Sequence, residues 1–411
     1  MRTIRLLLII PNLGPGGAQR VFHQQLQAFP SYFQVTGCVF NWDDSHSSDQ
    51  KQNIFSLDIP AGRSHFGKIY YFLKRIIRLR KMKRSRGIDV SISHLEGADY
   101  VNVLSGVGKT ICWIHGSKKF DQNIRGLLGF IRQRILMPVL YRQADFIITV
   151  SKGIANELRA YLKMSVVPVE TIYNGFDIAG IKKQGADKVD DGIQSLQSDG
   201  AVIITHCRLS RQKNLSTLLS IFSHLRGSEK VKLVIVGDGE LRDSLIEFSR
   251  KLGLTIWTVW DKNIMTASSD VFFLGHHDNP LKYLKHADLY VMTSLWEGFP
   301  LALCEAIIVG LPVIAADCHT GPREILLPDL EAPQPIAQPL ASPLGCLMPM
   351  LTINERERID QWAYTIASML KNANKHDHAE NAGVHMKKFD IDIAIRRTVE
   401  VIHKVLKSDV V

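Results

Sequence analysis

EGFPLALCEAIIVGLPVIAADCHTGPREI, from Glu297 to Ile325, sets two carboxylates, Glu297 and Glu305, eight positions apart around a Gly-Pro turn and a helix start. Glu297-Gly298-Phe299-Pro300 reads as a turn, with Pro300 suited to the first helical position. Residues 301–309 then read as a buried helix. Gly310-Leu311-Pro312 stops it ahead of an apolar strand at 313–316. An open helix start offers unpaired N–H groups and partial positive charge to a phosphate or a sugar oxygen. Glu305, about one turn in, is placed to accept hydrogen bonds from a cis-diol such as ribose, and Glu297 to meet sugar hydroxyls. Taken alone, the pair reads equally as two solvated glutamates beside a capped helix.

Further segments flank it. LLLIIPNLGPGGAQRVF (Leu6 to Phe22) is a strand, a glycine-rich loop and a helix. THCRLSRQKNLSTLL (Thr205 to Leu219) is a strand, a basic loop and a helix, and LVIVGDGELRDSL (Leu233 to Leu245) repeats that order around Gly-Asp-Gly. VFFLGHHDNPLKYLKHADLYVMTS (Val271 to Ser294) is a strand, a loop, a short helix and another strand. In this order and spacing the chain resembles the GT-B nucleotide-sugar glycosyltransferases that carry the E-x7-E element, the family 4 type of bacterial glycan assembly. The resemblance runs over most of residues 1–405 and is densest from 201 to 326.

It implies an α/β chain of GT-B architecture, two Rossmann-like parallel-sheet domains facing each other across a cleft. The expected division is an acceptor-binding domain at 1–178, a linker or surface loop at 179–200, a nucleotide-sugar domain at 201–389, and a helix at 390–411 that packs back on the first domain. Strands are expected near 4–10, 35–40, 90–94, 110–114 and 146–150 in the first half. Residues 180–200 are polar and aperiodic, and six prolines crowd 328–349, which therefore reads as irregular loop. Parallel β/α alternation puts ligands at the carboxyl ends of the strands.

The same resemblance assigns roles. Arg208 and Lys213 meet the donor diphosphate, whose charge grows as the glycosidic bond breaks. Gly14, Gly16 and Gly17 let backbone approach the phosphates. His115, in CWIHGS, hydrogen-bonds the donor sugar or phosphate, and Leu274 lies near the base. Phe299, Pro300 and Leu301 surround the donor with Glu297 and Glu305. His94, at another strand end, reads as a core histidine. No metal is expected: adjacent His276 and His277 share one ion poorly, and Asp390-Ile391-Asp392 opens the last helix, where Asp390 is a cap. Retention at the anomeric carbon is implied, with a UDP-sugar favoured over a GDP-sugar. The GPREI segment resembles a subgroup that builds on polyprenyl pyrophosphate or surface polysaccharide. His206-Cys207 departs from the usual small residues before Arg208.

Composition fits two domains of about 200 residues each. Residues of the hydrophobic class make up 45% of the 411, ordinary for a globular chain. No apolar run reaches the roughly 18 residues of a membrane span. The six scattered cysteines suit reduced thiols, so the expected location is cytoplasmic, on the inner face of the cell membrane. Net charge is +10, concentrated in KRIIRLRKMKRSR (Lys74 to Arg86), which holds eight basic residues in thirteen. At about 100° per residue, Phe66, Ile69, Tyr70, Leu73, Ile76 and Ile77 share a face expected to pack on the protein. Lys74, Arg75, Arg78 and Lys81 lie away from it. Arg80 and Arg84 fall on that face, leaving the last turns basic all round. Such crowding costs stability unless an anion compensates. An anionic membrane or a lipid-linked pyrophosphate would do so, at roughly 1 kcal/mol per basic residue. Nucleic acid is not expected, since no binding motif accompanies the charge. A GT-B epimerase, a soluble-acceptor synthase and a non-catalytic basic binding protein stay open.

Overall fold

A computed structural model describes residues 2–407, apart from 15, 43–52, 63, 120–125, 162–166, 190, 262–264, 266–267, 330–333, 352–354 and 373–374. The chain divides into two compact units, Met1–Gly175 with Ile391–Val411, and Phe176–Asp390.

The first unit is built on seven parallel strands in the order β3-β2-β1-β4-β5-β6-β7. These are β1 Ile4–Ile10, β2 Phe33–Val39, β3 Ile54–Ser56, β4 Val90–His94, β5 Lys109–Ile114, β6 Phe146–Thr149 and β7 Val169–Thr171. Leu6 through Ile10 are fully buried, as a central parallel strand covered by helices on both faces must be. The helix Ile391–Lys407 belongs to this unit. It buries Ala394, Ile395, Thr398, Val401, Ile402 and Val405, the spacing of one helical stripe. Its Arg397 and Lys404 reach Glu170 at 3.1 and 3.2 Å.

The second unit carries eight strands in the order β10-β11-β9-β8-β12-β13-β15-β14. They are β8 Ala201–His206, β9 Val231–Val236, β10 Ile256–Thr258, β11 Val271–Gly275, β12 Leu289–Met292, β13 Val313–Ala316, β14 Leu340–Ser342 and β15 Gly345–Met348. Two expectations are corrected here. Residues 180–200 are not a loop: helices Ile178–Gly185 and Asp191–Leu196 occupy them. The first is capped by Asp177 Oδ1, which accepts from Gly180 N at 2.8 Å, and it packs on the Leu301–Ile308 helix. The proline-rich stretch also contains structure, since β15 pairs in parallel with β13 and antiparallel with β14. Three- and four-residue strands between prolines leave too short a periodic signal to read.

Candidate donor site and its companion residues

In the second unit the strand order reverses at β8, which has β9 on one side and β12 on the other. Such a switch point opens a crevice at the carboxyl ends of the strands. His206 ends β8, and the loop 207–214 follows it. Two backbone carbonyls of that loop, those of Lys213 and Asn214, accept from the Thr293 hydroxyl beyond β12, at 3.1 and 3.2 Å. Leu295 N donates to Gln212 O at 2.8 Å, and Gln212 Nε2 donates to Trp296 O at 2.7 Å. These bonds bring the basic loop against the Glu297 turn, although more than eighty residues separate them.

Lys213 Nζ donates to Glu297 Oε1 at 2.6 Å, and Gln212 Nε2 lies 3.3 Å from Oε2. Burial works against the Lys213 ammonium, but the Glu297 carboxylate beside it outweighs that and raises its pKa. The site therefore holds a lasting cation paired with a nearly buried carboxylate. Thr320 Oγ1 donates to the Glu297 carbonyl at 2.5 Å and fixes the turn from the other side. Gly321 follows with φ of 94°, and a Cβ there would lie 2.6 Å from Pro300 Cδ. Only glycine allows that approach.

Several expected residues sit differently. Glu305 has no exposed surface, and His206 Nε2 lies 2.8 Å from its Oε2. The carboxylate expected to meet a ribose diol is thus covered. Arg208 does not share the Lys213 environment: its side chain is 69% exposed and pairs with Glu240 at 3.1 Å. Phe299 is buried against Phe389, ring centroids 5.2 Å apart, and Leu274 is buried at the end of β11. Pro300 is also buried and precedes the helix as its cap residue, with ψ of 106°, rather than opening it. Leu301 begins the helix Leu301–Ile308 half-buried.

The first unit has its own switch point between β1 and β4. Gly14, Gly16 and Gly17 follow β1, and Gly17 opens the helix Gly17–Ala28, which has no side-chain cap bond. Gly14 N donates to Asn12 Oδ1 at 3.2 Å. His94 ends β4, and its Nδ1 lies 2.8 Å from Nε2 of His115, which follows β5. Trp113 stacks on both rings. Burial pushes both pKa values down, and for His115 the His94 ring and Lys118 add to it. In a neutral pair one ring donates and the other accepts, so the tautomers of His94 and His115 are tied together. His94 is fully buried, as expected of a core histidine, and its hydrogen-bond partner is His115.

Non-glycine residues with positive φ adjoin both clusters: Leu95 after His94, Asn214 after Lys213, and Thr320 before Gly321. Backbone held in this region costs of order 1 kcal/mol or more and concentrates where side chains must be aimed. Sequence reading missed Gln212, Thr293 and Thr320, which carry no pattern of their own. His206 was visible as a departure from the family's small residues. Among the described residues no three His, Cys, Asp or Glu side chains are grouped to hold a metal ion. His277 turns to the Leu274 carbonyl at 3.0 Å, while His276 and Asp278 stand 3.8 Å apart.

The basic helix is His65–Arg86, capped by Ser64. The face that packs is not the expected one. Tyr71, Phe72, Ile76, Leu79 and Met82 lie against the β1–β2 core, while Phe66, Ile69, Tyr70, Leu73 and Ile77 are exposed. Arg75, expected at an acceptor or membrane surface, turns inward to the carbonyls of Ile59 and Pro60, at 3.1 and 2.9 Å. Arg80 caps the carbonyls of Ser105 and Leu104, at 2.7 and 3.0 Å. Lys83 is buried on Asn102 Oδ1 at 2.6 Å, its pKa pushed down to about 7 by burial. Inward carbonyls therefore compensate part of the crowded charge, leaving Lys74, Arg78, Lys81 and Arg84 outside.

Comparison with known proteins agrees on both units. Residues 15–179 match glycosyltransferase family 4, and residues 188–330 match glycosyl transferases group 1. The amylovoran biosynthesis glycosyltransferase AmsD of Erwinia amylovora is 36% identical over 332 residues, 79% of this chain and 84% of that protein. A Campylobacter jejuni enzyme, N-acetylgalactosamine-N,N'-diacetylbacillosaminyl-diphospho-undecaprenol 4-alpha-N-acetylgalactosaminyltransferase, is 25% identical over 331 residues, 78% of this chain and 83% of that one. The structure of Anabaena Alr3699/HepE in complex with UDP superposes with a TM-score of 0.71 over 98% of this chain and all of that one; at 17% identity this is a likeness of GT-B fold. Similarity to AmsD at 36% identity over 84% of its length, with a family match on each unit, makes this chain a glycosyltransferase of family 4.

Proposed function

We propose that the protein moves a hexose or N-acetylhexosamine from a nucleotide sugar to a lipid-linked glycan acceptor, with retention at the anomeric carbon and without a metal ion. The observation that carries this is the Lys213–Glu297 pair at the β8 switch point, a mostly covered cation beside a buried carboxylate. Lys213 meets the departing diphosphate, and Arg208, free to leave its exposed partner Glu240, adds a second positive charge. A surface pair of that kind is worth under about 1 kcal/mol, so little opposes the move. Charge-assisted bonds to the developing oxyanion stabilise it more than they stabilise the bound donor, which is the condition for a faster reaction. Glu297 orients the sugar hydroxyls. Glu305 takes the ribose once the groups covering it move aside, His206 staying on its other oxygen.

The chemical step breaks the anomeric C–O bond to the diphosphate and forms one to the acceptor oxygen on the same face. The acceptor proton passes to the leaving diphosphate. His115, neutral and oriented by His94, hydrogen-bonds the donor sugar or phosphate without acting as base. A UDP-sugar is favoured, in keeping with the UDP bound to the Anabaena protein. Assembly of a cell-surface polysaccharide or oligosaccharide is in keeping with the amylovoran and diphospho-undecaprenol relatives.

The test is a panel of UDP- and GDP-sugars scored first by thermal stabilisation and then by transfer to a polyprenyl-diphosphate-linked sugar, with the anomeric configuration read by proton NMR. Transfer with an inverted linkage sinks the retaining mechanism. Turnover of the donor sugar to an isomer with no acceptor present favours the epimerase reading instead.

A further inference from the structure

The helix His65–Arg86 has two apolar faces, and only one is used by the fold. Tyr71, Phe72, Ile76, Leu79 and Met82 pack inward. Phe66, Ile69, Tyr70, Leu73 and Ile77, at helical spacings of three and four, form a second stripe roughly opposite. Phe66 is 88% exposed and Ile77 67%. Lys74, Arg78 and Lys81 run along one flank of that stripe, and Arg84 continues its line. Arg78 has a loose ion pair with Asp58 at 3.7 Å.

A second exposed apolar set lies in the same helical layer. The helix Gly126–Ile131, the π-helical turn Arg132–Leu136 and the helix Met137–Tyr141 expose Phe130, Ile131, Ile135, Leu136 and Val139. Both sets are anchored to one helix, Glu96–Ser105. Arg80 caps its end, Met137–Tyr141 packs along it, and Arg132 Nε pairs with Glu96 at 2.6 Å. Large apolar side chains exposed to water on two helical segments packed against one helix mark an interaction surface.

We infer that these two helical segments form a docking face for an anionic lipid bilayer, the apolar stripe entering the headgroup region while Lys74, Arg78, Lys81 and Arg84 meet lipid phosphates. A helix lying in the interface needs this arrangement, apolar on one side and cationic along the edge. Charge complementarity separates the candidates. A symmetric second copy would bring each helix's four cations against their own images, which repel. A nucleic acid would attract the cations and leave five aliphatic and aromatic side chains without a partner. The inference extends the lipid-linked acceptor reading by naming where the enzyme meets the membrane. Its test contains neither donor nor acceptor, so either can fail alone.

The full-length protein is floated with vesicles of phosphatidylglycerol and phosphatidylethanolamine, and with phosphatidylcholine vesicles as reference, at low and high salt. The parent is expected to float with the anionic vesicles and to lose part of that binding as salt rises, since the Debye length falls from about 10 Å at 0.1 M to about 3 Å at 1 M. Phe66→Ser/Ile69→Ser/Leu73→Ser is expected to weaken binding roughly tenfold or more, which the loss of about two inserted CH₂ groups already gives. Lys74→Gln/Lys81→Gln/Arg84→Gln should remove the salt-sensitive part, and Phe130→Ser/Ile135→Ser should weaken binding further. The melting temperature of each variant checks its fold. Tyr70→Trp gives a second reading: the emission it adds over that of the parent's six tryptophans is expected to shift to the blue with anionic vesicles. An apolar variant that floats as well as the parent overturns the inference. So does an unshifted Tyr70→Trp emission, or a parent that self-associates through this stripe and ignores vesicles.

Discussion

His206 Nε2, at the end of β8, lies 2.8 Å from Oε2 of Glu305 inside the Leu301–Ile308 helix, and both side chains are buried. The pair ties the first strand of the second unit to the helix that follows the Glu297 turn. It spans 99 positions of sequence. A buried carboxylate left without its partner costs on the order of 1–3 kcal/mol. His206→Ala is therefore expected to lower the melting temperature by several degrees and to raise the KM for the nucleotide sugar more than it lowers kcat. Glu305→Gln in the same variant should return part of the stability. Unchanged melting and unchanged KM would mean that the contact has no energetic weight.

Lys213→Ala and Arg208→Ala are each expected to lower turnover about 100-fold or more, a loss of about 3 kcal/mol at the transition state. Their stabilities should differ. Lys213→Ala strands the Glu297 carboxylate and lowers the melting temperature, whereas Arg208 is exposed and its removal should not. Near-parental rates in both variants would take these residues out of the diphosphate site.

Transfer is expected to survive excess chelator, because in the proposed mechanism Lys213 and Arg208 supply the positive charge at the diphosphate. Activity that disappears with chelator and returns with magnesium or manganese would replace this mechanism with a metal-assisted one.

Stability should fall in mild acid through the His94–His115 pair. Both rings have folded pKa values below the ordinary 6.5, so below that pH the unfolded chain binds protons that the folded chain refuses. The stability they contribute is complete above pH 6.5 and is lost as pH drops, by up to about 1.4 kcal/mol per pH unit for each group. Urea unfolding at pH 7 and pH 5 checks it. The double variant His94→Asn/His115→Asn should show a shallower loss than the parent, and equal losses would clear the pair of this role.

Much of the site was legible because its chemistry is local. Glu297, Gly298 and Pro300 are adjacent, and Arg208 and Lys213 share one loop, so turn chemistry and charge spacing could be read without knowing what lies across from them. The strands β1, β8, β9, β11 and β13 were legible for a related reason: a strand buried on both faces is a nearly continuous apolar run. The short strands β3, β7, β10, β14 and β15 were not: three or four residues carry no period, and none of these is an unbroken run of Val, Ile and Ala as β13 is.

The sequence by itself determined the two β/α halves, the residue types at the candidate site and the concentration of charge in one helix, all set by neighbours within a few positions. Only the tertiary structure decided which of two apolar faces of His65–Arg86 is buried, because both have helical spacing and the choice rests on what the β1–β2 core presents. Partner choice was equally out of reach. Lys213 found Glu297, Glu305 found His206, and Arg75, Arg80 and Lys83 turned to carbonyls while Lys74 and Arg84 stayed in solvent. An ionic side chain takes whichever counter-charge or carbonyl the packed chain brings within about 3 Å, and that distance is a property of the fold.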